Sequence, residues 1–378
     1  MKRIGVYIHI PFCKSKCRYC SFNSYAGKDN LKEDYLSSIC KEIELYKDIL
    51  KNYEIDTIYI GGGTPSNMPK GAIATIISEL KEKTNIIEDA EISIEVNPNA
   101  IDYMKAVEYK NCGINRISIG LQSTKKNCLN AIGRTHTLDD YVKCVNLLKD
   151  CGFENINTDL MIGLPIQRLS DVKRSLGLVV KFGVTHISVY SLILEEGTPL
   201  FDLIQSRKLK LPKEEKVLSM YNYAKTFLEE QNFKRYEVSN FALPGFECKH
   251  NLNTWDMKEY IGFGAGAHSF YDSTRYSNIE NLEEYMQNIN NEKFPVETRE
   301  SLSEKELLEE TIMLGLRKTE GIDLNQIKTK FKVDLLKEKE KIINKFIEDG
   351  FVKIKSNRLM ATSLGFTVLN KIILELCV

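Results

Sequence analysis

Cys13, Cys17 and Cys20 stand within eight residues of each other in the stretch GVYIHIPFCKSKCRYCSFNS, just beyond a short strand-like run. Three thiolates this close can hold one metal centre. The spacing Cys-x-x-x-Cys-x-x-Cys supplies three ligands, whereas a structural zinc site takes four, usually from two separated pairs. A 4Fe-4S cluster held by three cysteines leaves one iron with an open coordination position, where an exogenous molecule can bind. Two other readings, half of a zinc site and a set of small buried hydrophobes, account less well for His9, Pro11 and the aromatic residues of the loop.

Other residues suited to chemistry recur at comparable places. Gly61-Gly62-Gly63-Thr64-Pro65 strips side chains from the chain just past a strand-like run. That lets backbone groups approach a ligand closely, although a lone glycine run more often marks a turn. Glu95, Gln122, Arg134 and Asp159 follow later runs and are polar groups that could hold a polar ligand. Singly, each is more often a solvated face or an ordinary strand-end hydrogen bond. In His250-Asn251-Leu252-Asn253-Thr254-Trp255, an imidazole able to ligate a metal lies near an indole that can stack on a flat ligand. Cys248 offers a weaker ligand there, and a lone histidine in a loop is more often structural. Cys40, Cys112, Cys128, Cys144, Cys151 and Cys377 show no ligand spacing; Cys40, Cys144 and Cys151 fall on helical patterns as core residues.

The elements that must position these groups alternate up to about residue 230. Strands are expected at residues 4–10, 56–60, 91–96, 115–119, 155–160 and 185–190. Helical patterns include YLSSICKEIELYKDIL, GAIATIISELKEK, DYVKCVNLLKDCG and EEKVLSMYNYAKTFLEEQ. Repeated strand–helix units predict an α/β fold with a parallel sheet, and six of them predict a partial (β/α)6 TIM-type barrel over residues 1–230. Function then gathers at the C-terminal strand ends, where the cysteine loop, GGGTPS, EVNPN, GLQS, DLMIGLP and LILEEGTPL all sit. Residues 231–300 read as an irregular extension, with a strand at RYEVSNFA, the segment ECKHNLNTW and the glycine-rich IGFGAGAHSF. Residues 301–378 read as helices at 304–317, 323–331 and 335–349 before a strand pair in FVKIKSNRLMATSLG, a winged-helix-like module.

Fifty-two basic residues balance 52 acidic ones, so no global charge draws the chain to nucleic acid or an acidic membrane. The C-terminal module mixes its charges and has no arginine-rich face; packing or a lid role is expected of it rather than DNA binding. Ten cysteines without the character of a small, loop-rich scaffold point to a reducing, cytoplasmic setting. His9 and Pro11 break the apolar run of MKRIGVYIHIPF, leaving no signal-peptide core, and no window reaches the length of a membrane span. Peripheral contact with a membrane is left open.

The cysteine loop, together with YIHIPFC, GGGTPS, SIEVNP, RISIGLQS and DLMIGLP, resembles the radical S-adenosylmethionine proteins. YIHIPFC, IGRTHT, HNLNTW and LGLRKTEGIDL resemble the oxygen-independent coproporphyrinogen III oxidase-like branch, and within it the HemW-type haem chaperones. The resemblance runs across nearly the whole chain. It implies that Cys13, Cys17 and Cys20 ligate a 4Fe-4S cluster whose fourth iron is chelated by S-adenosylmethionine; an electron given to the sulfonium then yields a 5′-deoxyadenosyl radical. It implies cofactor contacts at Tyr7, Tyr19, Gly62, Gly63, Thr64, Glu95, Gln122, Arg134, Asp159, Ile193 and His268, although either tyrosine could instead cap the barrel mouth. It also makes His250 a haem ligand, in a segment that reads His-Asn-x-x-Tyr-Trp in those proteins. Thr254 stands where tyrosine is usual, a departure that bears on an aromatic contact and not on the histidine.

Two functions fit this resemblance. One is a haem carrier that passes haem to an unidentified acceptor protein, as monomer or dimer, with the cluster and S-adenosylmethionine as a structural or gating element. The other is an oxygen-independent coproporphyrinogen III oxidase, which decarboxylates propionates to vinyl groups. Those oxidases resemble Cys-x-x-x-Cys-x-x-Cys-x-Cys, whereas here Cys20 is followed by Ser21 and Phe22, and the first strand lies almost at the first residue. The carrier is favoured, and whether the chain is an enzyme at all stays open.

Overall fold

A computed structural model describes residues 1–377. All six expected strands are present: β1 (Lys2–Ile10), β2 (Tyr53–Gly62), β3 (Asn85–Val96), β4 (Arg116–Gln122), β5 (Asn155–Ile162) and β6 (His186–Ser191). They pair in parallel in that order. Side chains alternate across each strand. Outward-facing Ile4, Val6, Ile8, Ile58, Ile60, Ile92, Ile94, Ile117, Ile119 and Ile187 join helix residues such as Ile39, Ile43, Ile76, Tyr109, Val145, Leu176 and Leu228 in one buried core. Cys144 is buried in that core, Cys151 is half-buried against it, and Cys40 is also half-buried.

The inner face is polar. Thr57, Glu91, Ser93, Arg116, Ser118, Asn157, His186 and Ser188 are all buried. A sheet covered by helices on both sides would carry apolar side chains on both faces; this alternation marks a curved sheet around a polar interior.

Residues 231–300 supply both margins of the sheet. Tyr260–Phe263 pairs in parallel with β1 and is followed outward by His268–Tyr271, Thr274–Asn278 and Val296–Ser301. Asn240–Ala242 and Lys234–Arg235 extend the β6 side. These strands are two to six residues long, too short for a period to show in the sequence. Because the two margins do not pair, the barrel is partial.

The C-terminal module has its own core, from Ile312 to Leu376. Helices Glu304–Gly315 and Leu324–Phe331 precede Glu340–Glu348, and the hairpin Val352–Lys355/Arg358–Ala361 turns through Ser356 and Asn357 at φ 50° and 60°. Ile322–Asp323 pairs with Arg358–Ala361 to complete a winged-helix sheet. The single helix expected over 335–349 is interrupted at Lys339, and a closing helix, Leu369–Cys377, follows the wing. The module packs against the barrel: Thr319 N–H donates to the Tyr236 carbonyl at 3.0 Å, Arg275 Nε donates to Glu310 at 3.0 Å, and Lys318 pairs with Asp256 and Glu320.

Glu42, fully buried on helix Lys32–Leu50, ties the glycine-rich loop to that helix. It accepts from Gly264 N–H (2.8 Å), Asn278 Nδ2 (2.7 Å) and Tyr285 O–H (2.6 Å). Burial raises its carboxyl to about 7, against the pull of those three donors. Glu42→Ala leaves the donors buried without their common acceptor and is expected to cost about 2–4 kcal/mol of stability, read by urea denaturation. An unchanged midpoint would remove this network from the account of the fold.

Candidate functional site

The cysteine loop leaves the C-terminal end of β1 and is fastened on several sides. Phe12–Cys13 pairs with Tyr25–Ala26, and Tyr25 N–H donates to the Pro11 carbonyl at 2.7 Å. His9 Nε2 lies 2.8 Å from the Asn23 carbonyl, while Asn23 Nδ2 donates to the Ala265 and Glu280 carbonyls at 3.2 and 3.1 Å. The Arg18 backbone bonds to Ile132 (2.9 Å) and Leu200 (2.8 Å) across the mouth. Cys13, Cys17 and Cys20 are free and half-buried, and burial pushes the Cys13 and Cys20 thiols up.

Glycines let the end of β2 meet this loop. Gly62 has φ 112°, and a Cβ there would stand 2.6 Å from the His9 ring. At Gly63 a Cβ would come within 2.9 Å of the Pro11 backbone and 3.1 Å of Cys13 Sγ. Thr64 follows, with its hydroxyl 3.6 Å from Cys13 Sγ, and Arg134 Nη1 lies 3.7 Å from Cys17 Sγ. Among the described residues, no three ligand-type side chains close on one point as a single zinc ion demands. A cubane gives each thiolate its own iron and needs no such convergence.

Polar groups line the mouth below. Glu95 accepts from Tyr59 O–H (2.9 Å) and Gly62 N–H (3.3 Å); burial and then the charge of Asp159 raise its carboxyl to about 7. Asp159, also raised by burial, accepts from Asn157 (2.8 Å) and Ser118 (3.2 Å). Two atoms here are buried without a partner: Gln122 Oε1, on a residue held at φ 65°, and Arg134 Nε. Orphaned polar atoms and a strained strand end are what a polar ligand would relieve, and a nucleoside with an amino acid tail has the matching groups. Tyr7 bonds to His9 Nδ1 at 3.0 Å, and Tyr19 packs against the apolar group of Met161, Leu164 and Leu200. Ile193 is exposed past β6, and His268 is exposed near His9, whose basicity is lowered by burial and, to a smaller extent, by His268.

His250 lies elsewhere. It opens helix Lys249–Trp255, which enters the barrel from the opposite end, and it is 8% exposed. Its Nδ1 is 2.9 Å from Thr57 Oγ1, and its ring stacks on Tyr59 at 5.3 Å. Glu91 caps this helix, accepting from Lys249 N–H (3.0 Å) and His250 N–H (3.1 Å). The ring sits level with Gly5, five residues before the end of β1, which puts it about 16 Å below the cysteine loop at a strand rise of about 3.3 Å per residue. Burial, then the charge of Arg116, lowers its pKa to about 4. The imidazole is therefore neutral at pH 7.

Sequence reasoning did not single out Asn97, which donates to Thr64 Oγ1 at 3.0 Å, or Asn23, which fastens the loop. Both lie in segments already marked, EVNPN and the cysteine loop, so their position was visible and their partner was not. Arg116, with Nε and Nη1 buried and unpartnered in the interior, left no signal.

A native Glu95 carboxyl keeps its proton up to about 7, while an unfolded one releases it near 4.5. Native stability from this group therefore falls as pH rises through that window. Glu95→Gln does not titrate, so its stability relative to the unsubstituted protein is expected to rise by about 1–3 kcal/mol between pH 5 and pH 8. Denaturation curves at the two pH values measure it; a constant difference would place the Glu95 carboxyl in its ordinary range.

The chain matches a model of the radical SAM superfamily over residues 7–179 and a HemN C-terminal domain model over residues 302–368. It is similar to proteins described as haem chaperone HemW. That of Bacillus subtilis is 34% identical over 97% of each chain, and that of Lactococcus lactis 35% identical over 97% of this chain and 96% of the relative. The Escherichia coli protein is 35% identical over 70% and 69%. Among solved structures, coproporphyrinogen III oxidase (HemN) from Escherichia coli superposes with a TM-score of 0.86 at 22% identity, covering 99% of this chain and 90% of that one, a likeness of fold. The cysteine loop, the partial barrel, the winged module and the end-to-end similarity lead to one conclusion: the chain belongs to the HemW family of haem chaperones, within the radical S-adenosylmethionine superfamily.

Proposed function

We propose that the chain is a cytoplasmic haem chaperone: it binds haem and passes it to an acceptor protein. Cys13, Cys17 and Cys20 hold a 4Fe-4S cluster whose open iron takes an exchangeable S-adenosylmethionine. The observation that carries this reading is similarity to named haem chaperones along nearly the whole chain. The residue after Cys20 argues in the same direction, since Ser21-Phe22 stands where the oxidases would bring a fourth cysteine. Ten free thiols suit a reducing compartment, and among the described residues no helix is long and apolar enough to cross a membrane.

When bound, cluster and S-adenosylmethionine together supply one-electron cleavage of a carbon–sulfur bond. The chain's own residues would orient and shield the cofactor. Gln122 and Arg134 would offer their unpartnered atoms to its polar groups, and Gly62 and Gly63 would leave backbone rather than side chain beside the cysteine loop that holds it. Glu95 and Asp159 would offer carboxyl groups to a cationic sulfonium, and burial and then the charge of Asp159 help to keep the Glu95 carboxyl protonated. Tyr7 and Tyr19 bound the site on opposite sides, with Tyr19 backed by apolar residues that exclude water. Ile193 and His268 stand exposed at the rim, free to close over the site.

His250 is assigned as the haem iron ligand of a loaded state. Its neutral imidazole is the form that ligates iron, but its ring faces the interior, so helix Lys249–Trp255 must leave the barrel for a porphyrin to reach it. Trp255 at the end of the same helix then offers a flat surface to the macrocycle.

Cys17→Ala is expected to remove most iron and acid-labile sulfide from anaerobically reconstituted protein; a full complement would defeat the ligand assignment. The reconstituted protein should bind haem in titration and fail to convert coproporphyrinogen III to protoporphyrinogen IX. Conversion under reducing, anaerobic conditions would overturn the chaperone reading in favour of the oxidase. His250→Ala should lose haem stoichiometry and change the Soret band. Retention of both would transfer the ligand role to another residue.

A further inference from the structure

Thr64 and Arg134 stand against the sulfur atoms of the loop itself. Their hydrogen atoms are aimed there by neighbours that leave them few alternatives. Asn97 Nδ2 donates to Thr64 Oγ1 at 3.0 Å and occupies the hydroxyl as an acceptor, so its proton is free for Cys13 Sγ at 3.6 Å. Asn97 is in turn fixed by its own N–H, which donates to Ser66 Oγ at 3.3 Å. On the other side, Arg134 Nη2 donates to the Gly120 carbonyl, which turns Nη1 toward Cys17 Sγ at 3.7 Å. Gly120 makes that posture possible: a Cβ there would stand 2.9 Å from Arg134 Nη2. Gly63 does the same for the first pair, since its missing side chain lets the Thr64 segment lie against Cys13.

We propose that Thr64 and Arg134 hydrogen-bond the cluster thiolates of Cys13 and Cys17 and thereby raise the cluster's reduction potential, with Asn97 as the positioning residue for Thr64. This rests on the cluster reading above and goes beyond the cofactor contacts assigned to the same two residues. One-electron reduction adds a negative charge to the cluster and its thiolates. A donor held on a ligand sulfur stabilises the reduced state more than the oxidised one, and in a half-buried site water competes poorly for the same sulfur. Arg134 adds the field of a permanent positive charge. S-adenosylmethionine need not be bound for either effect.

The test is a redox titration of the anaerobically reconstituted full chain without S-adenosylmethionine, followed by electron paramagnetic resonance, with iron and sulfide measured on every sample. Thr64→Val and Arg134→Gln should keep the cluster and move its midpoint to more negative potential, the double variant further than either. Thr64→Ser, which keeps the hydroxyl, should stay near the unsubstituted value. Asn97→Ala should move in the same direction as Thr64→Val by a smaller amount. Should Arg134→Gln fail to retain iron, Arg134→Lys is read in its place; it keeps the charge but loses the fork that reaches both Gly120 and Cys17, and should also titrate lower. Full clusters with unchanged midpoints overturn the proposal, as do midpoints that move only once S-adenosylmethionine is added. Unsubstituted protein that takes up no iron would instead sink the cluster reading itself.

Discussion

The missing side chain at Gly63 is the contact on which the mouth of this barrel depends. There the parallel ladder of β1 and β2 runs on past Gly62, Gly63 N–H donating to the Ile10 carbonyl at 2.8 Å, and any Cβ would press on Pro11 and Cys13. Gly62, at φ 112°, turns the backbone toward Glu95 in a conformation that L side chains resist. The glycines thus let the cysteine loop lie against the end of β2. Thr64 is the next residue, Asn97 reaches it from just past β3, and Glu95 accepts from Gly62 N–H.

The interior below is built from layered polar groups, which a domain tolerates only where they satisfy one another. Glu91 gives both carboxylate oxygens to the start of helix Lys249–Trp255, His186 spans Asn157 and Tyr236 at 2.7 Å each, and Thr57 holds His250. Arg116 stands at the centre, fully buried; burial first, and then its charge, keeps His250 and His186 neutral, and the same charge draws the Asp159 carboxyl down against the effect of burial. Burial acts at both ends of the barrel against the charged form of each group. Carboxyls at the mouth hold protons longer than usual, whereas imidazoles at the floor shed them sooner. Burial, which disfavours the charged form of either group, is the main cause of both; the Arg116 charge adds to it at the imidazoles and opposes it at the carboxyls.

Much of this was legible in the sequence because it is local. The six strands announce themselves by Ile and Val at every second position, as in RISIGLQ and EISIEV, and the cysteine spacing names its own chemistry. What escaped is non-local. The short strands of residues 234–301 gain their place from pairing with β1 and β6, and two to six residues cannot carry a period. The break at Lys339 is announced by no Gly or Pro, so nothing local marks it. The partner of Thr64 is Asn97, 33 residues away, and the partner of Arg134 is a sulfur 117 residues away. His250 was legible as an imidazole beside an indole, but its burial was not, because the residues that enclose it, Gly5, Thr57 and Tyr59, come from two strands near the start of the chain.

That enclosure ties the floor to the mouth. His9 bonds to the cysteine loop through Asn23 and to Tyr7 through its other nitrogen; Tyr7 stacks on Tyr59 with centroids 6.4 Å apart, and Tyr59 stacks on His250 at 5.3 Å. The column is continuous from one end of the barrel to the other, and Tyr59 also donates to Glu95. Moving His250 out of the floor removes one face of Tyr59, the ring whose hydroxyl holds a mouth carboxylate in place. Rings in contact on rigid parallel strands cannot shift singly without opening a void, and interiors resist voids. Withdrawal of the floor helix is therefore felt at Glu95 and at the glycine turn it supports. In reverse, whatever tightens the cysteine loop on His9 also tightens the stack that keeps His250 inside.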